Sequence, residues 1–577
     1  MSGTASGGAS ASGVGPGGVG PSGVGPVGVG AGGIAPDILP PTPSGPFGLP
    51  NPLTPPNALP NGITLPQPQQ PPYSLALPIP GAGISTLQQY NPDTPAVLIQ
   101  PYATVGERFT DNALYASSNR TAAAETLLIP GVSVSADTPR LKGVFSGSVE
   151  GDVYTPTSEL DQIFANLYAS GTGTIVPDRL FVDANSVITQ ASPLAGLGFV
   201  NPTLLPRTQQ TQVYANTVSP YLRESIDGLV DTELRYRFGA TNYGGNTTAA
   251  APTLSPASTL LASGILNEGT FTAATGQDFV RGLSRLTVDA SNFNSSSTSR
   301  NSEFSSYDDL EYRFTPSLSA LGRIGYQNLQ YPFVPAATFA GLTWLAGGKV
   351  GLNGYNKGFL SLEYGRQEGV YGFTGAASFN VTPTLNVNAN LVQGISNPSQ
   401  YLQSSLATST LNPYGSIVDQ YTNLPTAFYN PGLGFTNGVY RQHLFNLGIN
   451  DAIGINNYSL YGFYDTETGL TPPINTTTKS VGANFTWARD IRPDLNGSAS
   501  LGYTNTADLV TVNSAVPINN ISTWTANLGF NYLLTRNLTG SVYYTFSYQP
   551  NGGAVVSSGG SGSVVVNSLE FLLTKAF

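Results

Sequence analysis

Hydrophobic and polar residues alternate with a period of two along most of the chain beyond about residue 97. In WTANLGFNY, Trp524, Ala526, Leu528, Phe530 and Tyr532 share one face, and Thr525, Asn527, Gly529 and Asn531 the other. In LTGSVYYTFSY, Leu538, Val542, Tyr544, Phe546 and Tyr548 alternate with Thr539, Ser541, Tyr543, Thr545 and Ser547. Successive side chains of a strand point to opposite faces, so each stretch predicts a strand with one apolar side. The polar side is mostly neutral Thr, Asn and Ser, where a soluble sandwich would place charge. An apolar face turned to lipid and a wet interior accounts for both sides.

Earlier strands carry charge on the polar side. TELRYRF sets Glu233, Arg235 and Arg237 opposite Leu234, Tyr236 and Phe238. DLEYRF sets Asp309, Glu311 and Arg313 opposite Leu310, Tyr312 and Phe314. A charge facing lipid at the bilayer midplane costs about 2–4 kcal/mol, so these side chains are expected to point into a lumen. Lys142, Glu150, Asp183, Arg323 and Glu363 fall on the same predicted inner face. Two readings of these eleven residues stand: salt bridges between neighbouring strands, or a mixed-sign lining for hydrated, weakly charged solutes. No ring of a single sign is evident, which argues against an ion-selective filter.

Connections also alternate in length. Tight turns fall at ADTPR (136–140), VPDR (176–179), FTPS (314–317), VTPT (381–384) and DIRPD (490–494). Longer Gly/Ser/Asn/Pro-rich loops fall at 192–208, 242–256, 293–300, 397–437, 508–519 and 551–560. Short periplasmic turns opposite long outer loops are the asymmetry of outer-membrane barrels. Counting back from Phe577, with 257–272 taken as a single strand, gives about 22 strands (range about 18–24), an even total that places both ends at one rim. The expected fold is an all-β, up-and-down antiparallel transmembrane barrel over residues 96–577.

Composition sharpens this picture. Only 10% of the 577 residues are charged, while Gly (67), Tyr (30) and Phe (26) are abundant. That leaves too little charge for the skin of a large soluble protein. No run approaches the roughly 20 apolar residues of a spanning helix. Cysteine is absent, so disulfides and thiolate metal sites are excluded. A net charge of −10, with Arg108 as the first basic residue, argues against nucleic acid as a partner.

Residues 1–95 differ. GVGPGGVGPSGVGPVGVGAGG and the proline-rich segments after it are low-complexity sequence that cannot bury a core, and they predict a disordered tail. The start MSGTASGG has neither the basic nor the apolar region of a secretory signal, so a chain bound for the outer membrane is expected to be processed or to begin upstream.

Four segments carry a family resemblance: PYATVGERFTDNALY (101–115), FANLYASGTGTIVPDRLFVDANSVITQAS (164–192), TVSPYLRES (217–225) and DDLEYRFTPSLSALGRIGYQN (308–328). They resemble the outer-membrane barrel family associated with PEP-CTERM/exosortase systems. The likeness is scattered between about residues 100 and 400 and does not cover the tail. It implies a role in exopolysaccharide production or export, with polysaccharide as the partner, and carries no catalytic signature.

Catalytic chemistry finds little to work with. The single histidine, His443, alternates with Phe445, Leu447 and Ile449, which puts it on the lipid side near the outer rim. Asp308 and Asp309 are adjacent in a strand and so face opposite ways. The glycine runs lack the lysine and the strand-to-helix context of a phosphate loop. No enzyme activity, cofactor or metal is expected. A barrel this wide needs a plug or constriction, for which the tail and loop 397–437 are the candidates. Tyr401, Tyr414, Tyr421 and Tyr429 of that loop suit either stacking on sugar rings or packing within the loop.

The chain ends SLEFLLTKAF. Leu569, Phe571, Leu573 and Phe577 share the predicted outward face, with Glu570, Leu572 and Thr574 inward, and the stretch is expected to pair with YATVGERFT. A terminal aromatic after alternating apolar residues resembles the signal read by the barrel-assembly machinery. Lys575 departs from that signal, and its long side chain suits a rim position. Outer-membrane lipid and the assembly machinery are therefore the expected partners.

Overall fold

The protein is seen in a computed structural model that describes residues 96–191, 205, 210–244, 263–276, 278–295, 300–352, 358–397, 400, 402–403, 406, 409–411, 417–419, 439–470, 476–510, 520–550 and 562–577. The chain opens with β1 (Val97–Thr110), β2 (Ala123–Asp137), β3 (Leu141–Thr155), β4 (Gln162–Val176), β5 (Leu180–Ala191) and β6 (Thr211–Ile226). Then come β7 (Val230–Gly244), β8 (Gly264–Thr275), β9 (Gly282–Ser295), β10 (Asn301–Thr315), β11 (Leu318–Gln330) and β12 (Phe339–Leu352). β13 (Gly358–Gln367), β14 (Val370–Asn380) and β15 (Leu385–Ser396) lead to a separate small hairpin, β16 (Ser409–Leu411) and β17 (Ile417–Asp419). The circuit resumes with β18 (Tyr440–Ile453), β19 (Asn456–Gly469), β20 (Thr476–Arg492) and β21 (Leu495–Val510). It ends with β22 (Asn520–Thr535), β23 (Leu538–Gln549) and β24 (Val564–Ala576).

Twenty-two of these strands form one antiparallel sheet, as the alternation and turn count predict. The sheet closes where Tyr102–Thr110 of β1 pair with Ala576–Ser568 of β24, the YATVGERFT segment named by the sequence. Closure leaves no edge strand unpaired, the condition for a sheet to cross a bilayer. Among the described residues no helix is long and apolar enough to cross a membrane.

Both ends of the circuit lie at the rim that carries the short connections 138–140, 177–179, 227–229, 316–317, 454–455, 493–494 and 536–537. The opposite rim carries 111–122, 192–210, 245–263, 397–439 and 550–563. One connection there is tight: Glu368 (φ 53°) and Gly369 (φ 78°) form a two-residue turn between β13 and β14. Positive φ at both central residues gives the twist that matches a hairpin.

The sequence boundaries need correction at this long-connection rim. The strand expected over 257–272 is β8, which begins at Gly264 and runs to Thr275; residues 257–262 lie outside the described residues. β7, β9 and β21 run to Gly244, Ser295 and Val510, into stretches assigned to loops. Asn, Ser and Thr signal turns in isolation, yet a neighbouring strand accepts them readily into its ladder. The tail 1–95 lies outside the described residues.

Candidate functional site: the lumen wall

Alternation sorts the wall into two surfaces. Leu234, Tyr236, Phe238, Leu310, Tyr312 and Phe314 are exposed, and so are Trp524, Leu528, Phe530 and Tyr532. Their neighbours Glu233, Arg237, Asp309, Glu311, Thr523 and Thr525 are buried on the other face. Apolar groups thus cover the outside, and polar groups turn inward. His443 lies on the outside with Phe445, while its neighbour Gln442 is buried inside.

Many inward charges are paired, several of them at directly opposite positions of neighbouring strands. Asp309 of β10 stands directly opposite Arg285 of β9 and Arg323 of β11. Its carboxylate accepts Arg323 Nε at 2.6 Å and Arg285 Nη2 at 3.1 Å, and the Arg323 guanidinium lies 4.1 Å from the Tyr307 ring centre. Arg223, Glu233, Arg235 and Asp183 form a chain of contacts, each 2.8 Å long, across β6, β7 and β5. Arg237 meets Glu268 at 3.0 Å, and Glu311 takes Arg313 at 3.1 Å and Lys349 at 3.6 Å. Cross-strand salt bridging, one of the two readings open in the sequence, describes these groups.

Opposite signs alternate at the closing seam too. Arg108 of β1 faces Glu125 of β2 at 2.8 Å and Glu570 of β24 at 3.3 Å, all at directly paired positions. Glu150 and Asp152 of β3 are buried nearby, with Gln162 donating to Asp152 at 3.0 Å. Glu363 is buried on the inner face of β13, and Glu363 atoms lie against Gly347. Lys142 has inward parity but sits at the rim, exposed, 3.4 Å from Asp137.

The arc from β14 to β23 has a different chemistry. Its inward face is dominated by Asn, Gln, Ser and Thr; the carboxylates Asp465 and Glu467 of β19 both accept from the Gln442 amide. Two side-chain relays repeat on it. Tyr461 donates to Asn446 at 2.9 Å, and Asn446 donates to Asn390 at 3.0 Å. Tyr543 donates to Asn531 at 2.6 Å, and Asn531 donates to Asn496 at 3.1 Å. In each relay the two asparagines are directly paired, and the tyrosine stands opposite a glycine, Gly448 or Gly529. Glycine is required at the second: a Cβ on Gly529 would lie 2.7 Å from the Tyr543 ring.

Part of connection 397–439 lies inside the barrel. Gln403 is fully buried and donates to Thr241 Oγ1 at 2.9 Å and to the Gly264 carbonyl at 3.2 Å. Asn301 donates to Gln400 at 2.8 Å. The connection leaves β15 and thus reaches β7, β8 and β10 across the mouth. Gly239 leaves room for it, since a Cβ there would come within 2.6 Å of Gln403 Oε1. Tyr401, Tyr414, Tyr421 and Tyr429 lie outside the described residues.

At the C-terminus Leu569, Phe571, Leu573 and Phe577 are exposed on the outer surface. The Phe577 amide donates to the Pro101 carbonyl at 2.9 Å, so the last residue is part of the ladder to β1.

Sequence reasoning missed Arg108, Glu125, Glu268, Arg285 and Lys349. On β9 the inward face holds Leu283 beside Arg285, so hydrophobic contrast does not mark the side on which the arginine lies. The matching parity of Arg285 and Asp289 was the available signal. Among the described residues no group of three or more His, Asp or Glu is placed to hold a metal ion.

No protein-family model matches the chain, and no curated relative matches it. Among solved structures the chain is similar to the FrpB iron transporter of Neisseria meningitidis, at 9% identity and a TM-score of 0.45, covering 83% of this chain and 82% of that one. It is similar to the siderophore receptor PirA of Acinetobacter baumannii at 9% identity and a TM-score of 0.44, covering 84% and 81%. It is also similar to the outer membrane protein OpdK of Pseudomonas aeruginosa, at 10% identity and a TM-score of 0.30, covering 83% and 99%.

Proposed function

We propose that this chain is a bacterial outer-membrane channel that takes part in exopolysaccharide export, without enzymatic activity of its own. The observation that carries the channel reading is the two-sided wall: an apolar, aromatic outer surface around a polar interior whose arginines are paired with carboxylates on neighbouring strands. Such an interior offers hydrogen bonds to hydrated solutes. The resemblance of segments 101–115, 164–192, 217–225 and 308–328 to exosortase-associated barrels supports polysaccharide as the solute. Lipid surrounds the outer face in this reading, and the assembly machinery recognises the C-terminal strand.

Planar-bilayer recording of the purified full chain tests it. Conductance is expected, rising when residues 397–437 are deleted; a silent bilayer with both forms overturns the channel reading. Gln400 and Gln403 inside the mouth favour a second reading, a plugged anchor whose N-terminal tail recruits periplasmic partners. Loss of co-purifying partners on removal of residues 1–95, with permeability unchanged, would select the anchor.

A further inference from the structure

Between β14 and β23 the lumen changes from paired ions to amides, hydroxyls and tyrosines that are neutral apart from Asp465 and Glu467 of β19. We infer that this cation-poor, amide-rich arc is the solute-contacting side of the channel, and that its two Tyr–Asn–Asn relays are stations for an uncharged glycan chain. The inference rests on the export reading and names the class of polysaccharide and the wall it follows.

The two relays repeat one construction on separate sets of three strands: β15, β18 and β19, then β21, β22 and β23. Asn496 follows the first residue of β21, at the rim where β1 begins and β24 ends. Asn390 lies deeper, five residues beyond the start of β15 from the same rim. The two tyrosines match in position: Tyr461 and Tyr543 each lie five residues beyond the start of their strands, β19 and β23, from that rim.

Their chemistry suits sugar hydroxyls. An asparagine amide offers two donors and a carbonyl with two lone pairs, so one such group serves the donor and acceptor sides of a hydroxyl together. Asn390, Asn446, Asn496, Asn531 and Tyr543 all remain partly exposed toward the interior. Tyr543 passes over Gly529, its Cδ1 and Cε1 atoms 2.7 and 2.8 Å from where a Cβ would stand, and its half-exposed ring offers apolar carbon beside the amides. Tyr461 is buried against Phe463, ring centres 6.2 Å apart, so at that station the half-exposed Asn390 and Asn446 are the groups a solute meets. An acidic glycan would gain nothing here, because neither relay contains a cation.

Relays that only staple strands together would leave sugar binding untouched. The full chain is therefore studied in planar bilayers with maltoheptaose, a linear neutral glucose oligomer, and with an oligogalacturonate of equal length. Wild type is expected to show current block by maltoheptaose and much weaker block by the acidic oligomer. Tyr543→Ala and Asn446→Ala should each raise the maltoheptaose concentration for half block roughly tenfold, the loss of one or two good contacts. Tyr543→Phe, which keeps the ring, should fall between. Conductance without maltoheptaose block, or block unchanged in the variants, overturns the inference and leaves the channel reading intact. Absence of conductance overturns the channel reading instead. Retention of the detergent-solubilised chain on immobilised maltoheptaose then decides the inference by itself: retention lost in Tyr543→Ala supports it, and no retention of wild type sinks it.

Discussion

Arg108 of the first strand stands directly opposite Glu570 of the last, with Nε 3.3 Å from the carboxylate. With Glu125 on the second strand it forms an acid–base–acid row across the seam that closes the barrel. The row around Asp309 has the reverse order, base–acid–base. A strand ladder sets paired side chains close together, so opposite charges at matching parity meet without further support.

Arg108→Ala should destabilise the closed barrel by about 3–5 kcal/mol, because it leaves Glu125 and Glu570 facing each other without the cation between them. The loss should appear as a lower temperature for conversion of the compact species on heat-modifiability gels. Unchanged conversion would mean that the seam does not depend on this row.

Asp309→Asn keeps the shape but removes the charge shared by Arg285 and Arg323. The lumen gains one net positive charge, and selectivity should shift toward anions. Reversal potentials in a potassium chloride gradient read this directly, and identical values for both proteins would refute it.

Gly239→Leu should displace Gln403 from the mouth, since even a Cβ would lie 2.6 Å from its Oε1. Single-channel conductance is expected to rise toward that of the 397–437 deletion. Conductance equal to wild type would show that the Gln403 contact does not narrow the pore.

Glu368, in the turn between β13 and β14, gives a pH dependence. The β14–β15 ladder extends from Asn380–Asn386 up to Gly375–Leu391, and beyond it the Glu368 carboxylate accepts the Ile395 amide. Burial pushes this carboxyl up to about 8, against the pull of the Ile395 N–H. The folded state therefore holds the proton more tightly than the unfolded chain, whose carboxyl titrates near 4.3. Its contribution to stability is full below about pH 4 and is lost as pH rises through about 8. Glu368→Gln should match wild type near pH 4 and melt several degrees higher near pH 9. Parallel pH profiles for the two proteins would contradict this.

Removal of Phe577 takes away the amide that bonds to Pro101 and the most C-terminal outward aromatic, which is 71% exposed. Assembly into the membrane should fall severalfold, measured as the fraction of chain recovered in the heat-modifiable form. Full recovery would discard the assembly-signal reading.

Alternation with a period of two and the lengths of the connections were enough to specify the fold. Period two assigns each side chain to a face, and two residues such as Leu234 and Glu233 cannot exchange faces without moving the whole strand. That logic placed Glu233, Arg235, Asp309 and Arg323 inside, and it matched YATVGERFT with the last strand. Which residues meet across neighbouring strands was not legible, because parity fixes the face and leaves the register open. Arg285 against Asp309, Arg108 against Glu570 and the Tyr–Asn–Asn relays depend on register, which is set by the turns and by closure of the whole circuit. The reach of Gln403 to Thr241, 162 positions apart, was equally illegible in the residues, since it needs a closed wall for a loop to cross.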